Sequence, residues 1–96
     1  MYRTFYLARM IVTVETTQKG FKVIPLTWKQ ALHLGGRAIC DGCNEIPQTG
    51  TYIPVLNSYY CPACYAAWHE PATFHPENQE PEQKIIDIIV DMLKSA

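Results

Sequence analysis

From Met10 to Glu15 the side chains alternate. Met10, Val12 and Val14 are interleaved with Ile11, Thr13 and Glu15, and this period of two predicts a strand within Thr4–Thr16. Lys19-Gly20 supplies a turn. Phe21-Lys22-Val23-Ile24 then returns as a second strand before Pro25, making an N-terminal β-hairpin. In Thr27-Trp28-Lys29-Gln30 the threonine can cap a helix while the glutamine reaches back to it. A short helix over Trp28–Leu34 is expected, stopped at Gly35-Gly36, where glycine tolerates a left-handed cap.

The second half changes rhythm. Gly42 and Asn44 suit a tight turn with positive φ. Thr49-Gly50 and Asn57-Ser58 bracket a short strand, Thr51–Leu56, which pairs with Tyr59–Cys61. Pro54 cannot donate to a ladder, which predicts an edge strand there. Pro62 sits at a first helical position, and Ala63–His69 reads as a helix ending before Pro71. Glu70 to Gln83 holds three prolines and four acids, and reads as a stiff extended connector. Pro81 to Leu93 is a second helix candidate. Its broad apolar face carries Ile85, Ile86, Ile88, Ile89, Val90, Met92 and Leu93, against a narrow polar one of Lys84, Asp87, Asp91 and Lys94. The fold class is α+β in one small domain. Its parts are a hairpin plus short helix (1–39), a central segment (40–70), a Pro/Glu connector (71–83) and a C-terminal amphipathic helix (84–95).

The chemistry lies in the central segment. Cys40-Asp41-Gly42-Cys43 and Cys61-Pro62-Ala63-Cys64 contain all four cysteines of the chain, with 17 residues between the pairs. Two intervening residues let both sulfurs of a pair reach one ion. The C-x₂-C-x₁₅₋₂₀-C-x₂-C spacing brings two such pairs to the same point, as tetrahedral Zn²⁺ requires. One structural Zn²⁺ per chain on Cys40, Cys43, Cys61 and Cys64 is therefore expected. The competing readings are four buried thiols, a redox pair, or rubredoxin-like iron, which would favour a glycine-bearing knuckle in the second pair as well. A chain of 96 residues buries only roughly 60–65% of its unfolded surface, so a metal crosslink would support a marginal core.

Charge is distributed unevenly. Residues 1–39 hold six basic side chains (Arg3, Arg9, Lys19, Lys22, Lys29, Arg37) against Glu15, a net of +5. Residues 40–70 hold no Lys or Arg and carry -3, as do residues 71–96. No apolar run resembles a signal peptide or approaches the ~20 residues needed to span a bilayer. Paired cysteines without an export signal favour a reducing, cytoplasmic setting.

A knuckle pair, a hairpin and a pair at a helix N-terminus resemble a treble-clef zinc finger. Residues 40–69 are similar to GATA-type fingers and to the C-terminal half of LIM modules, with Tyr60 before the second pair and Tyr65 and Trp68 after it fitting that likeness. GATA-type fingers read DNA through basic side chains, which this segment lacks; LIM-like fingers bind proteins. The expected function is thus a non-enzymatic, zinc-stabilised adaptor or regulatory module with a protein partner, engaged through the strand edge near Pro54 or the Ile85–Leu93 face. That face also offers a route to a homodimer. The alternative is a nucleic-acid-associated regulator using the basic hairpin, with Tyr2, Phe5, Tyr6 and Phe21 interleaved among its cations. An enzyme is disfavoured because a closed four-sulfur site leaves no open metal position, and no H-E-x-x-H, deaminase signature or phosphate loop is present. His33, His69 and His75 read as surface or helix-end residues. Tyr52, Tyr59, Tyr60, Tyr65 and Trp68 read as packing around the metal. Size and the lack of other machinery suit an accessory protein of a bacterium or phage.

Overall fold

The computed structural model describes residues 2–7, 10–34 and 38–94, with side chains described over 12–34 and 38–93. It is a mixed α+β structure. Five antiparallel strands lie in sequence order: β1 (Tyr2–Leu7), β2 (Met10–Thr16), β3 (Lys22–Thr27), β4 (Thr49–Ile53) and β5 (Ser58–Tyr60). Helix α1 (Trp28–Ala31) runs into a 3₁₀ turn at Leu32–Leu34, α2 spans Pro62–His69, and α3 spans Gln79–Lys94 after a 3₁₀ turn at Pro76–Asn78. Among the described residues no helix is long and apolar enough to cross a membrane.

The stretch expected as one strand, Thr4–Thr16, is two. Phe5 lies opposite Val12 and Leu7 opposite Met10, so the chain reverses between Leu7 and Met10 without Gly, Asn, Asp or Pro to mark the turn. The N-terminal hairpin is therefore a three-stranded meander. β3 also continues through Pro25. Its first residues pair with β2 (Thr16 opposite Lys22, Glu15 opposite Val23), and its later ones with β4, from Ile24 opposite Tyr52 to Thr27 opposite Thr49. The β2 ladder ends before Pro25, which has no N–H to give it.

Pro54 does not mark an edge. β4 is interior, between β3 and β5, and Pro54 is buried in the turn that follows it. The β4–β5 hairpin closes over Pro54–Asn57, with Asn57 N–H donating to Pro54 O at 3.0 Å and Asn57 at φ 50°. The missing N–H of Pro54 falls at the end of the ladder, so the strand tolerates it without lying outermost.

The capping box is present. Gln30 N–H donates to Thr27 Oγ1 at 3.2 Å, and Thr27 N–H donates to Gln30 Oε1 at 2.8 Å. The expected cap at Gly35-Gly36 lies outside the described residues. Helix α3 starts at Gln79, so the 71–83 connector is shorter than expected. Pro81 fits inside the first turn, where backbone N–H groups have no helical partner to lose.

The core follows from these placements. Ile86, Ile89, Val90 and Leu93, at helical spacing on α3, are buried against Val12 and Val14 of β2, Ile24 and Leu26 of β3, Tyr52 and Tyr59. Each fully buried Leu or Ile contributes about 1.5–3 kcal/mol. The wide apolar arc of α3 is thus largely consumed within the chain. Only Ile88, counted above with the apolar face, is turned outward, at 55% exposure.

Two polar side chains fasten the ends of helices. Lys19 Nζ donates to the carbonyls of His69 (2.5 Å), Glu70 (2.5 Å) and Ala72 (2.9 Å), placing a cation at the negative end of α2. Glu82, 1% exposed in the first turn of α3, accepts from Lys22 N–H at 3.1 Å, while Lys22 Nζ reaches Gln83 Oε1 at 3.0 Å. Burial pushes the Glu82 carboxyl above the ordinary range, against the opposing pull of the Lys22 N–H and ammonium.

Tyr59 crosses β4 to donate from its hydroxyl to Leu26 O at 3.0 Å, and only a glycine leaves room beneath it. A Cβ on Gly50 would lie 2.6 Å from Tyr59 Cζ and 2.7 Å from the Tyr60 carbonyl oxygen. Gly50→Ala is expected to cost about 3 kcal/mol in urea denaturation; a loss below about 1 kcal/mol would show that the hairpin yields freely. Glu82 gives a pH signature. With its folded pKa raised, the native state holds more protons than the unfolded chain. Wild-type stability should therefore gain on Glu82→Gln as pH falls from neutrality toward the ordinary glutamate range, at matched metal loading. A pH-independent difference would contradict this.

Candidate metal centre

The first cysteine pair sits in a knuckle closed by two backbone bonds. Cys40 N–H donates to Glu45 O and Asn44 N–H to Cys40 O, both at 2.8 Å, and Asn44 adopts φ 64°. Gly42 was expected to share that left-handed geometry but does not. Among the described glycines only Gly20, at φ 103°, has positive φ. What Gly42 supplies is clearance: a Cβ there would stand 3.0 Å from Cys64 Sγ and 3.1 Å from Cys64 Cβ. Its N–H also donates to Cys40 Sγ at 3.3 Å.

Asp41 locks the knuckle to β5. Its N–H donates to Tyr59 O, and its Oδ2 accepts from Tyr59 N–H, each at 2.8 Å. The sequence reading gave Asp41 no role. Its place between two cysteines, with a carboxylate able to accept from the adjoining strand, was the available signal.

The second pair straddles the start of α2, as expected. Cys61 is the N-cap, its sulfur 3.5 Å from the Cys64 nitrogen, and Pro62 opens the helix. Tyr65 N–H donates to Cys61 O at 2.9 Å. Helix α2 is held from its far side by an aromatic group. Phe21 meets Trp68 at 4.8 Å and Phe74 at 5.3 Å between ring centroids, and Tyr65 meets Trp68 at 6.0 Å. Phe21 is buried there, and Lys19 and Lys22 are engaged in the bonds described above. The side chains of Arg3, Arg9, Arg37, Tyr2, Phe5 and Tyr6 lie outside those described.

These elements bring the four sulfurs within 4.8 Å of one another, with Cys43 Sγ 3.8 Å from Cys61 Sγ. Four thiolates around one ion at about 2.3 Å form a tetrahedron with edges of about 3.8 Å. The donor set therefore fits a single metal ion. Cys40 is buried, Cys61 and Cys64 are half-buried, and Cys43 is exposed. Among the described residues this is the one cluster of potential ligands. His69 ends α2 among the rings of Phe21, Tyr65 and Trp68, His75 lies 3.6 Å from Glu77, and His33 is exposed on the 3₁₀ turn after α1.

The sulfurs differ electrostatically. Burial pushes Cys40 up, but backbone N–H groups of Cys61, Cys43 and Gly42 outweigh it and bring the thiol down to about 6. Cys64 is pushed up to about 12 by the crowding sulfurs of Cys61, Cys40 and Cys43. The Cys40 thiolate forms readily while the thiols of Cys43 and Cys64 resist joining it, a repulsion that a divalent cation relieves.

Comparison of the chain with family models, with curated proteins and with solved structures finds no match. The fit of the donor set to a metal rests on the geometry alone.

Gly42→Ala should weaken metal binding about tenfold in chelator competition, the scale expected when groups orienting the ligands are disturbed. Because Gly42 has an ordinary backbone conformation, the fold itself should accept alanine. Unchanged affinity would show that Cys64 moves aside without consequence.

Proposed function

We propose that the chain is a non-enzymatic, zinc-stabilised protein-interaction module built on a treble-clef finger. The observation that carries this reading is the four-sulfur cluster fastened to a sheet on one side and a helix N-terminus on the other. Four soft thiolates in tetrahedral array suit Zn²⁺, which imposes no geometry of its own and does not change oxidation state. The order of knuckle, β4–β5 hairpin and α2 supports the treble-clef assignment. A four-sulfur set leaves no coordination position for substrate, which favours a structural ion over a catalytic one.

Charge favours a protein partner over nucleic acid. Residues 40–70 contain no Lys or Arg, and four thiolates around Zn²⁺ add a formal -2. Phosphate contacts dominate nucleic-acid affinity, and this segment presents the wrong sign for them. Of the three basic N-terminal residues whose side chains are described, Lys19 and Lys22 serve internal contacts and Lys29 is exposed, while Phe21 is buried instead of presented for stacking.

Affinity capture from the native cell, with and without nuclease, tests the reading when wild type and Cys64→Ser are compared. A protein captured despite nuclease by the wild type, and lost with the serine variant, is expected. Capture that vanishes with nuclease would move the function to nucleic acid, and equal capture by Cys64→Ser would remove the metal from it.

A further inference from the structure

Beside the knuckle lies a cleft of about 490 Å³, within the ~300–1,000 Å³ typical of ligand sites. Its apolar side is formed by Leu34, Ile39 and Ile89, and its polar side by Asp41, Asn44, Tyr52 and Asn57. The polar side carries one charge, the Asp41 carboxylate, beside a phenol and two side-chain amides. Asp41 spends Oδ2 on Tyr59 N–H, which leaves its second carboxylate oxygen. The Tyr52 hydroxyl donates to Asn57 Oδ1, which leaves the phenol oxygen free to accept. Among the described residues no cation is paired with Asp41, and the 40–70 segment holds none to offer. Burial and the nearby Asp41 charge push the Tyr52 phenol up to about 12, so it stays protonated and holds Asn57 in place.

The wall is also where backbone strain collects. Ala38 (φ 57°), Asn44 (φ 64°) and Asn57 (φ 50°) are the described non-glycine residues with positive φ, and all three line this cleft. Asparagine tolerates that conformation, but alanine has no side-chain bond to compensate it. Strain of this kind is retained where surrounding structure fixes a surface, and it gathers at ligand clamps.

We propose that this cleft receives an arginine or lysine side chain from a basic segment of the partner protein. The aliphatic stem would lie along Ile39, Leu34 and Ile89, and the cationic head would meet Asp41 and the Tyr52 oxygen. The inference rests on the interaction-module reading and names the partner's chemistry. An anion would meet the Asp41 carboxylate with no described cation paired to it, and a wholly apolar ligand would cover its second oxygen without offering that oxygen a hydrogen bond.

The test uses the metal-loaded chain and amide NMR. Nα-acetyl-arginine methylamide should produce saturable shifts at Asp41, Asn44, Tyr52 and Asn57. The uncharged citrulline analogue should bind at least tenfold more weakly. Asp41→Asn keeps the acceptor for Tyr59 N–H while removing the charge, and should weaken the arginine probe at least fivefold. Ile39→Lys, which places a cation in the cleft, should do the same by a different route. Absence of saturable shifts, equal binding of both probes, or unchanged affinity in both variants would overturn the proposal. Failure here is separable from failure of the module reading. A partner that Asp41→Asn and Ile39→Lys capture like wild type, and Cys64→Ser does not, would leave the module standing and the cleft without this role.

Discussion

Four thiols drawn within 4.8 Å of one another form an arrangement that opposes itself once they ionise. The contacts around the sulfurs serve to keep them together. Asp41 bonds the knuckle to β5, Gly42 clears space for Cys64, and Cys61 caps the helix on which Cys64 rides. A cation at the centre would relieve that repulsion and turn its binding free energy into folding free energy. A Zn²⁺ held by the four thiolates would add a formal -2 to the -3 that residues 40–70 carry in their side chains.

The rest of the fold supports that arrangement from two directions. On one face of the sheet, α3 buries Ile86, Ile89, Val90 and Leu93, and Glu82 ties its first turn to the start of β3. At the turn between β2 and β3, Phe21 packs on Trp68 of α2, and Lys19 closes the C-terminal carbonyls of that helix. Helix α2 is therefore pinned at its N-terminus by two cysteines and beyond its C-terminus by a lysine some fifty residues earlier in the chain. Lys19 and Phe21 of the basic N-terminal segment thus help to hold the helix that carries Cys64.

Much of the site was legible because its signals are local. Cysteine spacing, Pro62 at a helix start and the Thr27–Gln30 box each depend on a few neighbouring residues, and each appears where expected. What escaped was decided by distant contacts or by missing punctuation. The reversal between Leu7 and Met10 carries no turn residue, so two strands read as one. Pro54 signals an edge only if it lies within a ladder, and it lies just past one. Gly42 was read for its conformational freedom, whereas its place under Cys64 depends on a helix twenty residues away. Glu82 looks like an ordinary acidic helix start, and its burial and its bond from Lys22 N–H depend on a strand sixty residues earlier.

X-ray absorption at the zinc edge on the purified protein tests the central claim most directly. The account predicts one zinc per chain, with four sulfur neighbours at about 2.3 Å and no nitrogen or oxygen in the first shell. A protein that holds no zinc when supplied with it, or one with light-atom ligands around the ion, would contradict the claim that these four cysteines form a closed structural site.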